Sequence, residues 1–174
     1  GKSCVTNDLP LAMHSFADAK QLTSQQISSM LATGFFFSAF GKVAGGISCD
    51  MLGARATCLV ATTTSILCTL LLTILPLGCP FIVYTFVWGI NILCILGIVG
   101  IARSAVASNW IPHSHLGRLM GIISMCSDLG DVTSRVLLAP FLALGWQSVF
   151  QVAAAACFCM GVLPLAFFGD APQE

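Results

Sequence analysis

The sequence predicts an all-α membrane protein, folded as a polytopic bundle of helices. Of its 174 residues, 57% are hydrophobic and only 8% are charged, whereas an ordinary soluble domain has roughly 25% charged residues. The mean hydropathy is +0.94. The apolar residues fall into five stretches, and a helix of about 20 such residues crosses the hydrocarbon core of a bilayer.

Five membrane-spanning helices are predicted, joined by breaks that are too short for a soluble domain. The predicted spans cover residues 25–46, 57–76, 81–102, 118–141 and 147–168. The breaks "CDMLGAR", "LPLGCP", "SNWIPHSHLGR" and "LALGWQS" contain the glycine and proline typical of turns. Ser24 is the expected cap of the first helix. The segment 1–24 lacks the apolar core of a signal peptide. The odd number of spans and the abrupt start, with Gly rather than Met, lead us to expect a truncated chain.

The arginines in the breaks predict the orientation of the bundle. Arg55, Arg103 and Arg118 lie in the predicted loops 47–56 and 103–118, whereas the other two breaks contain no charge. By the positive-inside rule the two arginine loops face the cytoplasm. The carboxy-terminal tail then lies inside and the amino-terminal segment outside.

The first arginine loop combines small and charged residues at fixed spacing. Gly46, Asp50, Gly53 and Arg55 follow the pattern G-x-x-x-D-x-x-G-x-R. Gly46 would let two helices approach closely, Gly53 can take the positive φ of a tight turn, and the charged pair can join across it. An ordinary charged loop is the alternative.

This loop resembles the signature loop between the second and third helices of the major facilitator superfamily. The stretches 111–122 and 144–152 look like that family's entries into helices five and six. The resemblance implies that residues 1–174 are part of an amino-terminal six-helix half, with 1–24 the end of helix one and an outside loop. It also implies a missing carboxy-terminal half, or another membrane chain, and a substrate site at the midplane between the halves.

A narrower resemblance is to the organophosphate:phosphate antiporters, which carry glycerol 3-phosphate and hexose phosphates. Lys42, Gly46 and Asp50 match the spacing of a lysine, a glycine and the loop aspartate in their second helix. The resemblance implies that Lys42 faces the central cavity and attracts phosphate. The alternative is a lysine whose side chain reaches the membrane interface.

The fourth predicted span contains ionisable residues in the middle of an apolar helix. Ser124, Asp128, Asp131 and Arg135 fall within a wedge of roughly 60°, with Ser127 about 40° beyond it; we call these five residues the polar stripe. Each charge costs roughly 2.5–3.5 kcal/mol at the bilayer centre, so the stripe is expected to face the bundle interior or a wet cavity. A buried ion-pair network that fixes helix packing is the alternative.

Three further polar residues have competing interpretations. Arg103 either anchors the end of the third span, to Asp50 or to lipid phosphate, or takes part in gating. Arg118, at the entry to the next span, is expected to set topology. Asn91 either contacts substrate or hydrogen-bonds another helix.

Small residues recur along the first span at three- and four-residue intervals. They are Gly34, Ser38, Gly41 and Gly45. Such spacing predicts a close helix contact, which is either static or slides during transport.

No pattern in the sequence indicates an enzyme, a cofactor, a metal or a nucleic-acid partner. The nine cysteines include no C-x-x-C, and His113 and His115 lack companion ligands. A disulfide between Cys4 and Cys79 stays open. The net charge of zero provides no basic surface for nucleic acid.

The favoured function is secondary active transport of a small polar solute by alternating access across a lipid bilayer. The expected solute is an organic anion or sugar phosphate, exchanged for phosphate or coupled to protons. The predicted cavity residues are Lys42, Asn91, Ser127, Asp128, Asp131 and Arg135. The alternative is a truncated, non-transporting half-bundle that interacts with other membrane proteins, and an intramembrane enzyme is the least supported class.

Overall fold

The computed structural model describes residues 22–76, 79–110, 113–142 and 145–159. All regular structure in this part of the chain is helical, which confirms the all-α prediction. The helices are α1 (Ser24–Leu52), α2 (Ala54–Ile74), α3 (Phe81–Ile92), α4 (Val99–Trp110), α5 (His113–Leu142) and α6 (Trp146–Cys157). A π-helical segment, Leu93–Ile98, joins α3 to α4 without a break, and we call the three together the long helix.

The start of α1 is fixed by a capping box at Thr23 rather than by the predicted cap, Ser24. The Gln26 backbone N–H donates to the Thr23 hydroxyl over 3.3 Å, and the Thr23 N–H donates to the Gln26 side-chain oxygen over 2.9 Å. This reciprocal pair needs a glutamine or glutamate three residues after the cap. Ser24 has Ile27 at that position, so the cap shifts by one residue.

The end of α1 lies at Leu52, beyond the predicted end at residue 46. Gly46 and Asp50 therefore lie in the last turns of a helix and not in a loop, because nothing before Gly53 breaks the helix. Only Gly53 separates α1 from α2. Its φ is +81°, the positive value predicted for it, which glycine adopts without strain.

The long helix and α5 also extend past their predicted spans. α4 continues to Trp110 and α5 begins at His113, so the predicted loop 103–118 is mostly helix. Arg103 and Arg118 are helical residues. These arginines therefore do not mark helix ends, and the orientation predicted from them stays a prediction.

The core forms where α1 and α2 pack on the long helix and α6 packs on α2. Its largest fully buried side chains are those of Trp88, Tyr84, Phe150, Ile27, Met30, Leu72, Ile95, Leu138 and Val149. The Tyr84 hydroxyl donates to the Pro76 carbonyl over 2.7 Å, which ties the first turns of α3 to the end of α2. α5 packs on α6 and on α4.

Three helices in the described ranges are long and apolar enough to cross a membrane, namely Ser24–Leu52, Ala54–Ile74 and Phe81–Ala105. α5 has 30 residues but includes the charged members of the polar stripe. α6 has 12 residues, and residues 160–168 of its predicted span lie outside the described part. The predicted membrane spans 118–141 and 147–168 therefore stay predictions.

Candidate functional site

Lys42 lies on an exposed side of α1, directly after Gly41, which is buried. It precedes the end of the helix at Leu52 by ten residues, so at 1.5 Å per residue it lies about 15 Å inside that end. Among the described residues Lys42 has no hydrogen-bond or ion-pair partner. A lysine on an apolar helix needs water or an anion beside its ammonium group, in a cavity or at the membrane interface.

The polar stripe follows the edge of the packed face of α5. Its exposed members are Ser124, Asp128 and Arg135, and its half-buried members are Ser127 and Asp131. The packed face itself is marked by the buried Ser134 and Leu138. The described helices therefore do not enclose the stripe, and the expected burial in the bundle interior is not observed there. The stripe instead forms an exposed polar surface on α5, which is compatible with the alternative expectation of a wet cavity.

Lys42 and the polar stripe lie on helices that do not pack extensively together. α1 contacts α2 and the long helix, whereas α5 contacts α4 and α6. The described bundle therefore does not bring the Lys42 ammonium into an evident contact with the carboxylates of α5. A cavity shared by both remains a proposal.

Asn91 takes part in a buried contact between α2 and the long helix. Its side chain is fully buried, and its amide donates to the Thr69 hydroxyl over 2.7 Å. The Ser65 hydroxyl donates to its carbonyl oxygen over 2.9 Å. Of the two interpretations of Asn91, the structure therefore agrees with a hydrogen bond to another helix. Asn91 is accordingly not part of the candidate cavity wall.

Replacing Asn91 by leucine is expected to lower the stability of the bundle by about 1 kcal/mol, the scale of an interhelical hydrogen bond between membrane helices. The reason is that Ser65 and Thr69 each lose a partner. Thr63→Val is the matched control, since the Thr63 hydroxyl is exposed and donates only within α2, to the Leu59 carbonyl over 2.8 Å. Thermal unfolding in detergent measures both variants. Equal stability of the two would contradict this role for Asn91.

The residues of the signature loop take positions that differ partly from those predicted. A Cβ added at Gly46 would meet no atom within 4 Å, so the close helix approach does not occur there. Asp50 is exposed, and its expected pairing with Arg55 or Arg103 stays a prediction. Arg103 is exposed, as is Arg118, and their anchoring or gating roles stay predictions.

The close approach of α1 to the long helix occurs at Gly41 and Gly45. A Cβ at Gly45 would lie 2.9 Å from the Ile98 Cα, and one at Gly97 would lie 2.6 Å from the Gly41 Cα. The stripe of small residues therefore packs closely, as its spacing predicted. Gly97 was not singled out from the sequence, and its only signal was a small residue within the apolar stretch "LCILGIVG".

The residues considered for metal binding or a disulfide form no site in the described ranges. His115 is exposed, and the described residues contain no group of three or more His, Cys, Asp or Glu side chains that could hold a metal. Cys79 is a free thiol, and Cys4 lies outside the described part of the chain.

A comparison with protein families gives a match that covers nearly the whole chain. The model described as the Major Facilitator Superfamily matches residues 3–174. The chain belongs to the major facilitator superfamily. Membership of this superfamily, together with the apolar helices, makes the chain an integral, multi-pass membrane protein.

Two curated relatives of this superfamily member have the same name. A protein called Sugar phosphate exchanger 3 from Bos taurus is 28% identical across 92% of this chain and 33% of that protein. Sugar phosphate exchanger 3 from Xenopus laevis is 29% identical across 53% of this chain and 18% of that protein. The chain thus spans a third or less of these relatives. No solved structure matches it.

Proposed function

We propose that this chain is part of a secondary active transporter that moves a small organic anion, such as a sugar phosphate, in exchange for phosphate. The observation that carries the proposal is Lys42, a cation about 15 Å inside the nearer end of an apolar helix with no partner among the described residues. An anion in a water-filled cavity would supply the missing partner. The two relatives, both called Sugar phosphate exchanger 3, support the same class of solute.

The polar stripe of α5 completes the proposed wall of the cavity. Arg135 adds a second cation, whereas Asp128 and Asp131 would repel an anion unless one carboxylate is protonated or engaged by a cation. Proton coupling is therefore part of the proposal, with Asp128 as the proton acceptor. Asp128 lies at the middle of the 30-residue helix, and its exposed side chain would be open to water in the proposed cavity.

Exchange by purified protein in proteoliposomes tests the proposal. Vesicles are loaded with inorganic phosphate, and uptake of labelled glycerol 3-phosphate and glucose 6-phosphate is measured beside neutral glycerol and glucose. The chain itself and the longest polypeptide that includes it are compared. Phosphate-dependent uptake of the phosphorylated solutes only is the expected result for the longer polypeptide. Uptake of none of the four solutes would favour the non-transporting half-bundle that interacts with other membrane proteins.

The substitution Asp128→Asn is expected to remove the pH dependence of exchange. Asparagine is close in shape to a protonated aspartate but cannot release a proton, so the rate should stay constant between mildly acidic and neutral pH. Asp131→Asn is the matched control on the same helix, and it should keep the pH dependence of the unsubstituted protein. A pH-dependent rate in the Asp128 variant would contradict its role as proton acceptor.

A further inference from the structure

α1 and the π-helical segment are in contact through their backbones. A Cβ at Gly97 would lie 2.6 Å from the Gly41 Cα and 3.0 Å from the Ser38 carbonyl oxygen. A Cβ at Gly41 would collide with the Leu93 carbonyl oxygen and lie 3.0 Å from the Gly97 Cα. Real side chains do not approach so closely, so both helices need glycine at this crossing.

The crossing coincides with the only irregularity in the long helix. The π-helical segment Leu93–Ile98 is continued at both ends by α-helix. A π-turn has wider i→i+5 hydrogen bonds, and such segments frequently occur at functional sites. Here the wide turn presents the Leu93 carbonyl to Gly41, where an added Cβ would have no room.

Lys42 directly follows the residue at this crossing. Successive residues of an α-helix are about 100° apart, so the burial of Gly41 against Gly97 turns Lys42 to the exposed side of α1. The separation of α1 from the long helix therefore determines where the Lys42 ammonium lies. We propose that the Gly41–Gly97 contact, together with the π-helical segment, positions Lys42 for anion binding. The anion-binding part of this inference rests on the proposed function.

The substitution Gly97→Ala is expected to shift α1 by on the order of 1 Å, because the added methyl would be about that much too close to the Gly41 Cα. A misplacement of this size can cost up to about 100-fold. We expect KM for inorganic phosphate to rise about 10-fold in phosphate self-exchange, with a smaller change in maximal rate. Gly100→Ala is the matched control, because a Cβ there meets nothing within 4 Å.

A second measurement reports the position of Lys42 without requiring transport. Lys2, Lys20 and Lys42 are the lysines of the chain, so labelling by an amine-reactive reagent can be followed peptide by peptide in the folded protein. We expect the labelling rate of Lys42 to change in Gly97→Ala relative to Gly100→Ala, with Lys2 and Lys20 unaffected. Gly45→Ala is the milder second variant, since its Cβ would lie 2.9 Å from the Ile98 Cα.

The outcomes separate the positioning role from the proposed function. Equal Lys42 labelling in Gly97→Ala, Gly45→Ala and Gly100→Ala would overturn the positioning role. A changed labelling rate of Lys42 in Gly97→Ala would support the positioning role. If inorganic phosphate does not slow the labelling of Lys42 in the unsubstituted protein, the anion site is overturned while the positioning role stands. If Gly97→Ala does not fold, the comparison of Gly45→Ala with Gly46→Ala decides the question on α1, because a Cβ at Gly46 meets nothing within 4 Å.

Discussion

Replacing Lys42 by glutamine is expected to lower phosphate exchange by about 10- to 100-fold. A hydrogen bond to a charged group contributes about 1.5–3 kcal/mol, and each 1.4 kcal/mol is about tenfold in affinity. The loss should appear as a higher KM for phosphate in proteoliposomes. Removal of a charge from an apolar helix does not make insertion more costly, so the yield of folded protein should not fall.

Two further variants make the Lys42 result specific. Lys42→Arg keeps the charge but changes its shape and reach, and it should keep part of the exchange activity. Lys20→Gln, in the predicted outside segment, should leave the activity unchanged. If Lys42→Gln exchanges phosphate at the rate of the unsubstituted protein, Lys42 does not bind the anion. The alternative would then hold, in which the Lys42 side chain reaches the membrane interface.

Replacing Trp88 by alanine is expected to lower the stability of the bundle by about 3–5 kcal/mol, the usual cost of removing a large aromatic side chain from a packed core. Trp88 is 2% exposed and packs with Tyr84 and Ile92 in the core. Its indole N–H has no hydrogen-bond partner among the described residues, so the loss would be one of packing. Unfolding in detergent, followed by circular dichroism, measures it.

The neighbouring Phe86 provides the control for Trp88. It lies two residues earlier on the same helix, and 57% of its surface is exposed. Lipid or detergent can fill the space left by Phe86→Ala, whereas the cavity at Trp88 is closed on all sides. The expected effect of Phe86→Ala is therefore small, and a similar loss for both variants would show that the core is placed wrongly.

The sequence predicted the helices better than their ends. Apolar stretches of membrane length exist only where a helix can bury its backbone polar groups, so hydropathy alone indicates the helices. It contains no signal for helix ends outside the apolar core, where polar residues continue a helix as well as a loop. α1 therefore reaches Leu52 and α4 reaches Trp110, both beyond the predicted spans. Gly53 was predictable because a tight turn with positive φ requires glycine.

The environment of individual polar residues was less predictable than the helices. Asn91 could face a cavity or another helix, and the choice depends on how α2 and the long helix are rotated, which a single helical pattern does not contain. Ser65 and Thr69 were not identified as its partners for the same reason. The π-helical segment has no pattern of its own, since one additional residue per turn in an apolar stretch leaves the hydropathy unchanged. Lys42 and Asp128 are exposed, but the described helices do not form the cavity that we propose they share.

α1 and α2 are directly coupled, because a single residue, Gly53, connects them. Such a connection is short, so α1 cannot slide along its own axis without moving the first turn of α2. At the other end of α2, the Tyr84 hydroxyl of α3 donates a hydrogen bond to the Pro76 carbonyl and so links the two helices. A displacement of α1 along its axis by the anion proposed to bind Lys42 would therefore reach the first turn of α2 directly, because no loop separates the two helices.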